Sequence, residues 1–384
     1  MKVLTLFGTR PEAIKMAPLV GALAREREVQ NVVCVTGQHR QMLDTVMSLF
    51  GIEAQHDLDV MMPGQTLNGL FSRAVARIDE VLEAERPDLV LVHGDTSTAC
   101  AGALAAFHRR IAFGHVEAGL RTGDLARPFP EEMNRRIVDI GANWLFAPTE
   151  TSRANLVSER APGRIVVTGN TVIDALAALQ PRLADDMPLA RAAAARYPWL
   201  DASRRLLLVT GHRRESFGDG FRQICGALAE LAAREDLQIV YPVHLNPAVR
   251  DLVTAELAGL ERVHLIAPLD YVDFVWFMQR AHVILTDSGG VQEEAPWLGK
   301  PVLVMRDVTE RPEAVAAGTV ALVGAHRERI VEGVARLLDD DAAHAAFARR
   351  VNPYGDGFAS QRIVDALLGR EVEAFAPIEL ASAA

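Results

Sequence analysis

Short apolar runs alternate with longer amphipathic stretches along the whole chain. In the first half the runs are VLTLF (3–7), NVVCVTG (31–37), DLVLVHG (88–94), IAFGHVE (111–117), WLFAPT (144–149) and RIVVTGN (164–170). In the second half they are RLLLVTGH (205–212), LQIVYPVH (237–244), VHLIAP (263–268), HVILTD (282–287), PVLVM (301–305) and TVALVG (319–324). Runs this continuous and this rich in Val, Ile and Leu belong to strands buried on both faces, and the stretches between them have helical length. The pattern predicts parallel sheets covered by helices on each side. Twelve strands overfill one open sheet, and residues 180–204 contain no strand pattern. The chain therefore reads as an α/β protein of two doubly wound, Rossmann-like domains joined within 169–204.

Length and composition agree with this picture: 384 residues give two domains of ordinary size, and 49% apolar with 23% charged residues is a globular balance. No apolar run approaches the ~20 residues of a membrane span, and MKVLTLFGTRPE is too short an apolar start for a signal peptide. The three cysteines, Cys34, Cys100 and Cys225, lie far apart in apolar segments. They fit buried reduced thiols rather than a disulfide frame or a zinc site, and a cytoplasmic location is expected. A net charge of −10 argues against a nucleic-acid partner. Local basic clusters (Arg10 and Lys15; Arg121; Arg135 and Arg136; His212, Arg213 and Arg214; Arg306 and Arg311) leave room for a small anion.

In doubly wound sheets ligands bind beyond the carboxyl ends of the strands, so the loops there hold the candidate chemistry. In LFGTRPEAIKMAP (6–18) Gly8 makes the turn, Pro11 suits a helix start and Glu12 complements the helix dipole. This is no G-x-G-x-x-G fingerprint, which counts against a dinucleotide. Arg10 and Lys15 either reach toward phosphate or are solvated helix-start residues. Asp95 in VHGDTSTA is either an N-cap, worth ~1 kcal/mol, or a chemical group. Glu117 ends a buried strand in GHVEAGLRTGD, where a carboxylate must be paired or functional. Glu131 and Glu132 open the next helix; the dipole explains acids there at ~0.3–1 kcal/mol each. Asp95, Glu117 and Glu131 nonetheless gather at one edge of the first domain, and clustered carboxylates push their pKa values apart as acid–base work requires.

The second domain offers the complementary set. His212, Arg213 and Arg214 in VTGHRRESFGDGF can grip a diphosphate or move a proton. In TDSGGVQEEAP (286–296), Ser288 can cap a helix while Gly289 and Gly290 let a phosphate touch backbone N–H groups. Glu294 falls one turn beyond Gly290, and Glu293, rotated by ~100°, is read as structural. The following loop brings Arg306, Glu310 and Arg311 to the neighbouring strand end.

Taken in order, GTRPEAIKMAP, TGQHRQML, VHGDTSTA, GHVEAGLRTGD, PFPEEMNRR, FAPTE, VTGNTVIDA, TGHRRESFG, YPVHLNP, TDSGGVQEEAP and GKPVLVMRDVTERPEA resemble the non-hydrolysing UDP-N-acetylglucosamine 2-epimerases from residue 8 to 314. The resemblance implies the GT-B architecture, with an active site in the interdomain cleft. It also implies a C-terminal helix (SQRIVDALLG, 360–369) that crosses back to the first domain. The domains would then be 1–168 with about 364–384, and 169–363. The implied reaction interconverts UDP-GlcNAc and UDP-ManNAc by eliminating UDP to a 2-acetamidoglucal and adding it back, with no redox cofactor and no metal. Carried over residue by residue, Asp95, Glu117, Glu131 and His212 are the catalytic expectations. Arg10, Lys15, Phe274, Ser288, Gly289, Gly290, Glu294 and Arg311 are the UDP-sugar contacts. Gln38, His39, Gln41 and His244 match a second, allosteric UDP-GlcNAc site of some bacterial members. Leu269 stands where some members carry Gln, which removes a side-chain contact to the base. The resemblance further implies a homodimer. The rival readings are a GT-B glycosyltransferase, a hydrolysing epimerase and a catalytically silent nucleotide-sugar sensor; the retained acids favour epimerisation.

Overall fold

Each of the twelve apolar runs contains a strand, and one further strand joins them. In chain order they are β1 (Lys2–Phe7), β2 (Gln30–Val35), β3 (His56–Asp57), β4 (Leu89–His93), β5 (Ala112–Val116), β6 (Trp144–Ala147), β7 (Arg164–Val167), β8 (Arg205–Thr210), β9 (Leu237–Pro242), β10 (Val263–Ile266), β11 (Val283–Thr286), β12 (Val302–Val304) and β13 (Val320–Leu322). The added strand, β3, is a two-residue polar edge strand, too short and too hydrophilic to leave an apolar signature. The computed structural model describes residues 1–38, 40–213, 216–348 and 352–377.

The chain divides into two compact units, one of residues 1–178 with 354–376 and one of 179–353. The first holds a seven-stranded sheet in the order β3-β2-β1-β4-β5-β6-β7; the second holds a six-stranded sheet in the order β10-β9-β8-β11-β12-β13. Every pairing is parallel. Helices alternate with the strands, so both are doubly wound α/β sheets. In each sheet the winding direction reverses beside the first strand of the unit, between β1 and β4 and again between β8 and β11. Those two switch points are where such sheets hold their ligands.

The cores explain the apolar runs. All five β4 residues are buried, and Leu4, Leu6, Val90, Val92 and Leu145 are fully enclosed. Leu207, Val209, Ile239, Val283 and Leu285 fill the same place in the second unit. Enclosing each such side chain contributes ~1.5–3 kcal/mol. The helix Ser97–His108 lies so close to the sheet that a Cβ at Gly102 would come within 2.3 Å of Leu6 Cδ2. The three cysteines are buried and unpaired, and burial pushes their thiols up, Cys34 to about 12. Asp174 accepts hydrogen bonds from the N–H groups of Ala359 and Ser360 (3.2 and 2.7 Å), and so ties the helix Ala359–Leu367 into the first unit. No described helix is long and apolar enough to cross a membrane.

Candidate active site

At the first switch point the loops after β1, β2 and β4 lock together. Thr9 caps the helix Arg10–Arg25, and Glu12 accepts from Gly8 N (3.0 Å), Thr9 N (2.8 Å) and Thr96 Oγ1 (2.6 Å). Glu12 thus does more than complement the dipole: it joins the β1 loop to the β4 loop. Burial pushes its carboxyl up, against the pull of those donors. Gln38 N donates to Gly8 O at 2.9 Å. Gly8 is needed for closeness rather than for an unusual backbone angle, since a Cβ would lie 1.9 Å from Thr36 Oγ1.

Asp95 is not an N-cap; Thr96 holds that position, accepting from Ala99 N. The Asp95 carboxylate instead pairs with the buried Arg135, while its carbonyl accepts from Asn134 Nδ2 (2.9 Å). Both partners come from the helix Glu131–Gly141, so Asp95 and Glu131 sit on one framework. Glu132, fully buried, accepts from Thr122 N and Gly123 N (3.1 and 3.3 Å) and shapes the loop; Glu131, at the helix start, is half-buried.

Glu117 follows β5 with φ +69°, a left-handed conformation that costs a non-glycine residue of order 1–3 kcal/mol and is retained where the surroundings over-determine it. Its Oε1 takes the Lys15 ammonium and Asn170 Nδ2 (2.7 Å), and its Oε2 lies 3.6 Å from His93 Nε2. Lys15 is therefore a buried partner of Glu117, not a solvated cation. Beneath them His115 links Asp139 (2.6 Å) to the Gly94 carbonyl (2.7 Å), and Arg121 holds the other Asp139 oxygen at 2.8 Å. Lys15 thus pairs with Glu117, and Asp95 with the helix that begins at Glu131. Arg10 begins its helix half-buried nearby in sequence.

The second switch point is organised around a residue that the sequence reading passed over. Asp287, 1% exposed, accepts from His212 N (2.7 Å) and Arg213 N (2.8 Å), with His212 Nδ1 3.3 Å from its other oxygen. The signal was present in ILTD: an acid closing a buried strand. His212 also stacks on His244, with ring centroids 5.6 Å apart, and burial followed by the His212 charge pushes the His244 imidazole down. Ser288 occupies the N-cap of the helix Gly289–Trp297 without a side-chain capping bond, contrary to expectation; its N–H instead donates to Thr286 Oγ1 (2.9 Å).

Glu293, Glu310, Arg306, Arg213 and Arg311 form one ion lattice, buried at Glu293, Glu310 and Arg311 and half-buried at Arg306 and Arg213. Arg311 donates to Glu293 (2.6 Å) and Glu310 (2.7 Å), Arg306 donates to Glu310 (2.7 Å), and Arg213 reaches it at 3.5 Å. Burial would raise the Glu310 carboxyl, but Arg311, Arg306 and Arg213 hold it well below the usual carboxylate range. The Arg311 guanidinium lies against Gly289, where a Cβ would meet Nη1 at 2.6 Å. Glu294 folds back so that Oε1 is 3.4 Å from the place of a Gly290 Cβ. Ser288, Gly289, Gly290, Glu294 and Arg311 thus gather around one helix start. Phe274 lies half-buried on the helix Tyr271–Arg280. His39 and the side chain of Gln41 lie outside the described residues. Among the described residues no group of three His, Cys, Asp or Glu could hold a metal ion.

Comparisons with known proteins identify the family. The family model for UDP-N-acetylglucosamine 2-epimerase matches residues 21–368. A protein of Ralstonia nicotianae named probable UDP-N-acetylglucosamine 2-epimerase is 58% identical over 368 residues, covering 95% of this chain and 98% of its own. The UDP-N-acetylglucosamine 2-epimerase of Escherichia coli is 56% identical over 374 residues, covering 97% and 100%. The crystal structure of UDP-GlcNAc 2-epimerase from Neisseria meningitidis bound to UDP-GlcNAc superposes with a TM-score of 0.93 at 48% identity, covering 96% of this chain and 100% of that one. With the two-sheet fold of those GT-B structures and both strand-end clusters in place, this chain belongs to the UDP-N-acetylglucosamine 2-epimerase family.

Proposed function

We propose that the protein interconverts UDP-GlcNAc and UDP-ManNAc without hydrolysis, through elimination and re-addition of UDP. Family membership supports the substrate, and the observation that carries the chemistry is the Glu117 cluster: a strained, enclosed carboxylate gripped by Lys15 and Asn170, with Asp95 and Glu131 on the adjoining framework. In the forward step one carboxylate removes the C2 proton while the C1–O bond breaks and UDP departs as the anion, leaving the 2-acetamidoglucal. In the return step an acid on the opposite face delivers a proton to C2 and UDP attacks C1. The groups for the departing charge lie in the second unit: His212, the open helix start at Ser288–Gly290, and Arg311. Arg10 and Phe274 complete the proposed UDP-sugar contacts. Glu294, whose Oε1 folds back toward Gly290, is read as the acceptor for the ribose hydroxyls. His244, stacked on His212, and Gln38 are read as contacts of a second UDP-GlcNAc that activates the enzyme.

Incubation with UDP-GlcNAc in D₂O, followed by NMR, tests the reading. UDP-ManNAc carrying deuterium at C2 is the expected product. Product that keeps the C2 proton refutes elimination, free ManNAc identifies the hydrolysing reaction, and an unchanged sample identifies a sensor.

A further inference from the structure

His93 has no place in the chemistry above, yet both of its ring nitrogens are buried and unsatisfied at the first switch point. It closes β4 and is 3% exposed. An unsatisfied buried polar group costs about 1–3 kcal/mol, so such a residue calls for an explanation. The backbone fixes what it faces. In the β4–β5 register His93 is opposite Val116, and Gly94 N donates to Val116 O at 2.9 Å, which sets the two strand ends side by side. Nε2 lies 3.6 Å from Glu117 Oε2, about 0.4 Å beyond hydrogen-bond reach. The other oxygen, Oε1, is the one that Lys15 and Asn170 hold.

We propose that His93 is a positioning residue for Glu117: as a neutral imidazole it donates Nε2–H to Oε2 and keeps the carboxylate aimed while Glu117 exchanges a proton with the sugar. The inference rests on the acid–base reading of Glu117. The charged groups around the ring favour this role. Lys15 approaches from the helix Arg10–Arg25 and His115, backed by Asp139, from β5; both oppose a charge on His93, and only Glu117 favours one. With burial as the largest cause, the imidazole is driven down to about 3, so it stays neutral and serves as a fixed donor rather than as a proton store.

Turnover of UDP-GlcNAc by the full chain, measured from pH 6 to 9, tests this with Glu117→Gln, His93→Phe and His93→Gln. His93→Phe keeps ring volume without a donor and should lower kcat about 10- to 100-fold, leave KM within about twofold and displace the pH profile. His93→Gln, whose amide can donate from a similar place, should recover most of the rate. A wild-type kcat and pH profile in His93→Phe overturns the proposal, as does equal impairment of the Phe and Gln variants with an unshifted profile, which marks mere packing. If Glu117→Gln is inactive while His93→Phe is normal, only the His93 role falls; if Glu117→Gln keeps full turnover, the acid–base reading falls first and takes the His93 role with it. Should His93→Phe not fold, ¹⁵N NMR of the native imidazole decides: the neutral Nε2-protonated tautomer is expected, and an Nδ1-protonated ring overturns the proposal.

Discussion

The loops after β4 and β5 and the loops after β8 and β11 lie at or beside the switch points of two sheets of the same winding, yet their charged groups are set differently. In the first unit the proposed acid–base carboxylates are held by their surroundings: Arg135 on Asp95, Lys15 and Asn170 on Glu117. In the second unit carboxylates are the supports. Asp287 orders the amides of His212 and Arg213, while Glu293 and Glu310 fix Arg311 beneath Gly289. One topology therefore supplies two chemistries, because the winding fixes only where the loops emerge, not what they carry.

Exchanging a carboxylate for its amide in each unit should break this contrast most visibly. Glu117→Gln keeps shape but removes the proposed acid–base group, and should lower kcat by about 10²- to 10⁴-fold with KM little changed. Steady-state kinetics with UDP-GlcNAc measures it; a loss confined to KM would make Glu117 a binding residue instead.

Two supporting carboxylates, one in each unit, carry pH signatures of opposite sign. Burial raises the Asp174 carboxyl from 3.8 to about 6 in the first unit. Its contribution to stability is complete below pH 3.8 and is lost as pH rises through 6, a change of roughly 3 kcal/mol. Glu310 in the second unit is lowered, so its contribution is present above 4.5 and is lost as pH falls. Urea unfolding of Asp174→Asn and Glu310→Gln against the parent, from pH 4 to 7, should give stability differences that drift in opposite directions. Parallel drifts would refute the opposite shifts of the two carboxyls.

Asp287→Asn sharpens the supporting role. The amide keeps one acceptor but loses the charge that orders two backbone N–H groups, so KM for UDP-GlcNAc should rise about tenfold, or 1.4 kcal/mol, with kcat affected less. A fall in kcat alone would place Asp287 among the acid–base groups.

Much of this was legible before any coordinates. Continuous Val, Ile and Leu runs reveal strands because both faces of a parallel sheet are buried; β3 escaped because two polar edge residues bury almost nothing. The strand-end loops were legible for the same reason, since polar residues straight after such runs stand out. What stayed hidden depends on atoms brought together from afar. Glu12 reaches Thr96, Asn170 reaches Glu117, and Asp287 reaches two amides 74 and 75 residues away; no local pattern encodes those meetings. Asp95 was open to an N-cap reading because Asp and Thr are both good caps, and only the backbone shows that Thr96 takes the position.

The smallest expected effect separates the two units most finely. Thr9 and Ser288 both stand at the N-caps of helices that follow switch-point strands. Thr9 spends its hydroxyl on Glu12 N within a capping box, whereas Ser288 makes no side-chain capping bond. Thr9→Ala should therefore cost about 1 kcal/mol of stability. Ser288→Ala should leave stability within about 0.5 kcal/mol, because no capping bond is lost, yet weaken UDP binding severalfold if its hydroxyl serves the ligand. Thermal unfolding paired with UDP titration calorimetry reads both quantities. Equal destabilisation by the two variants would mean that Ser288 caps its helix after all, and that the second helix start is not held open for a phosphate.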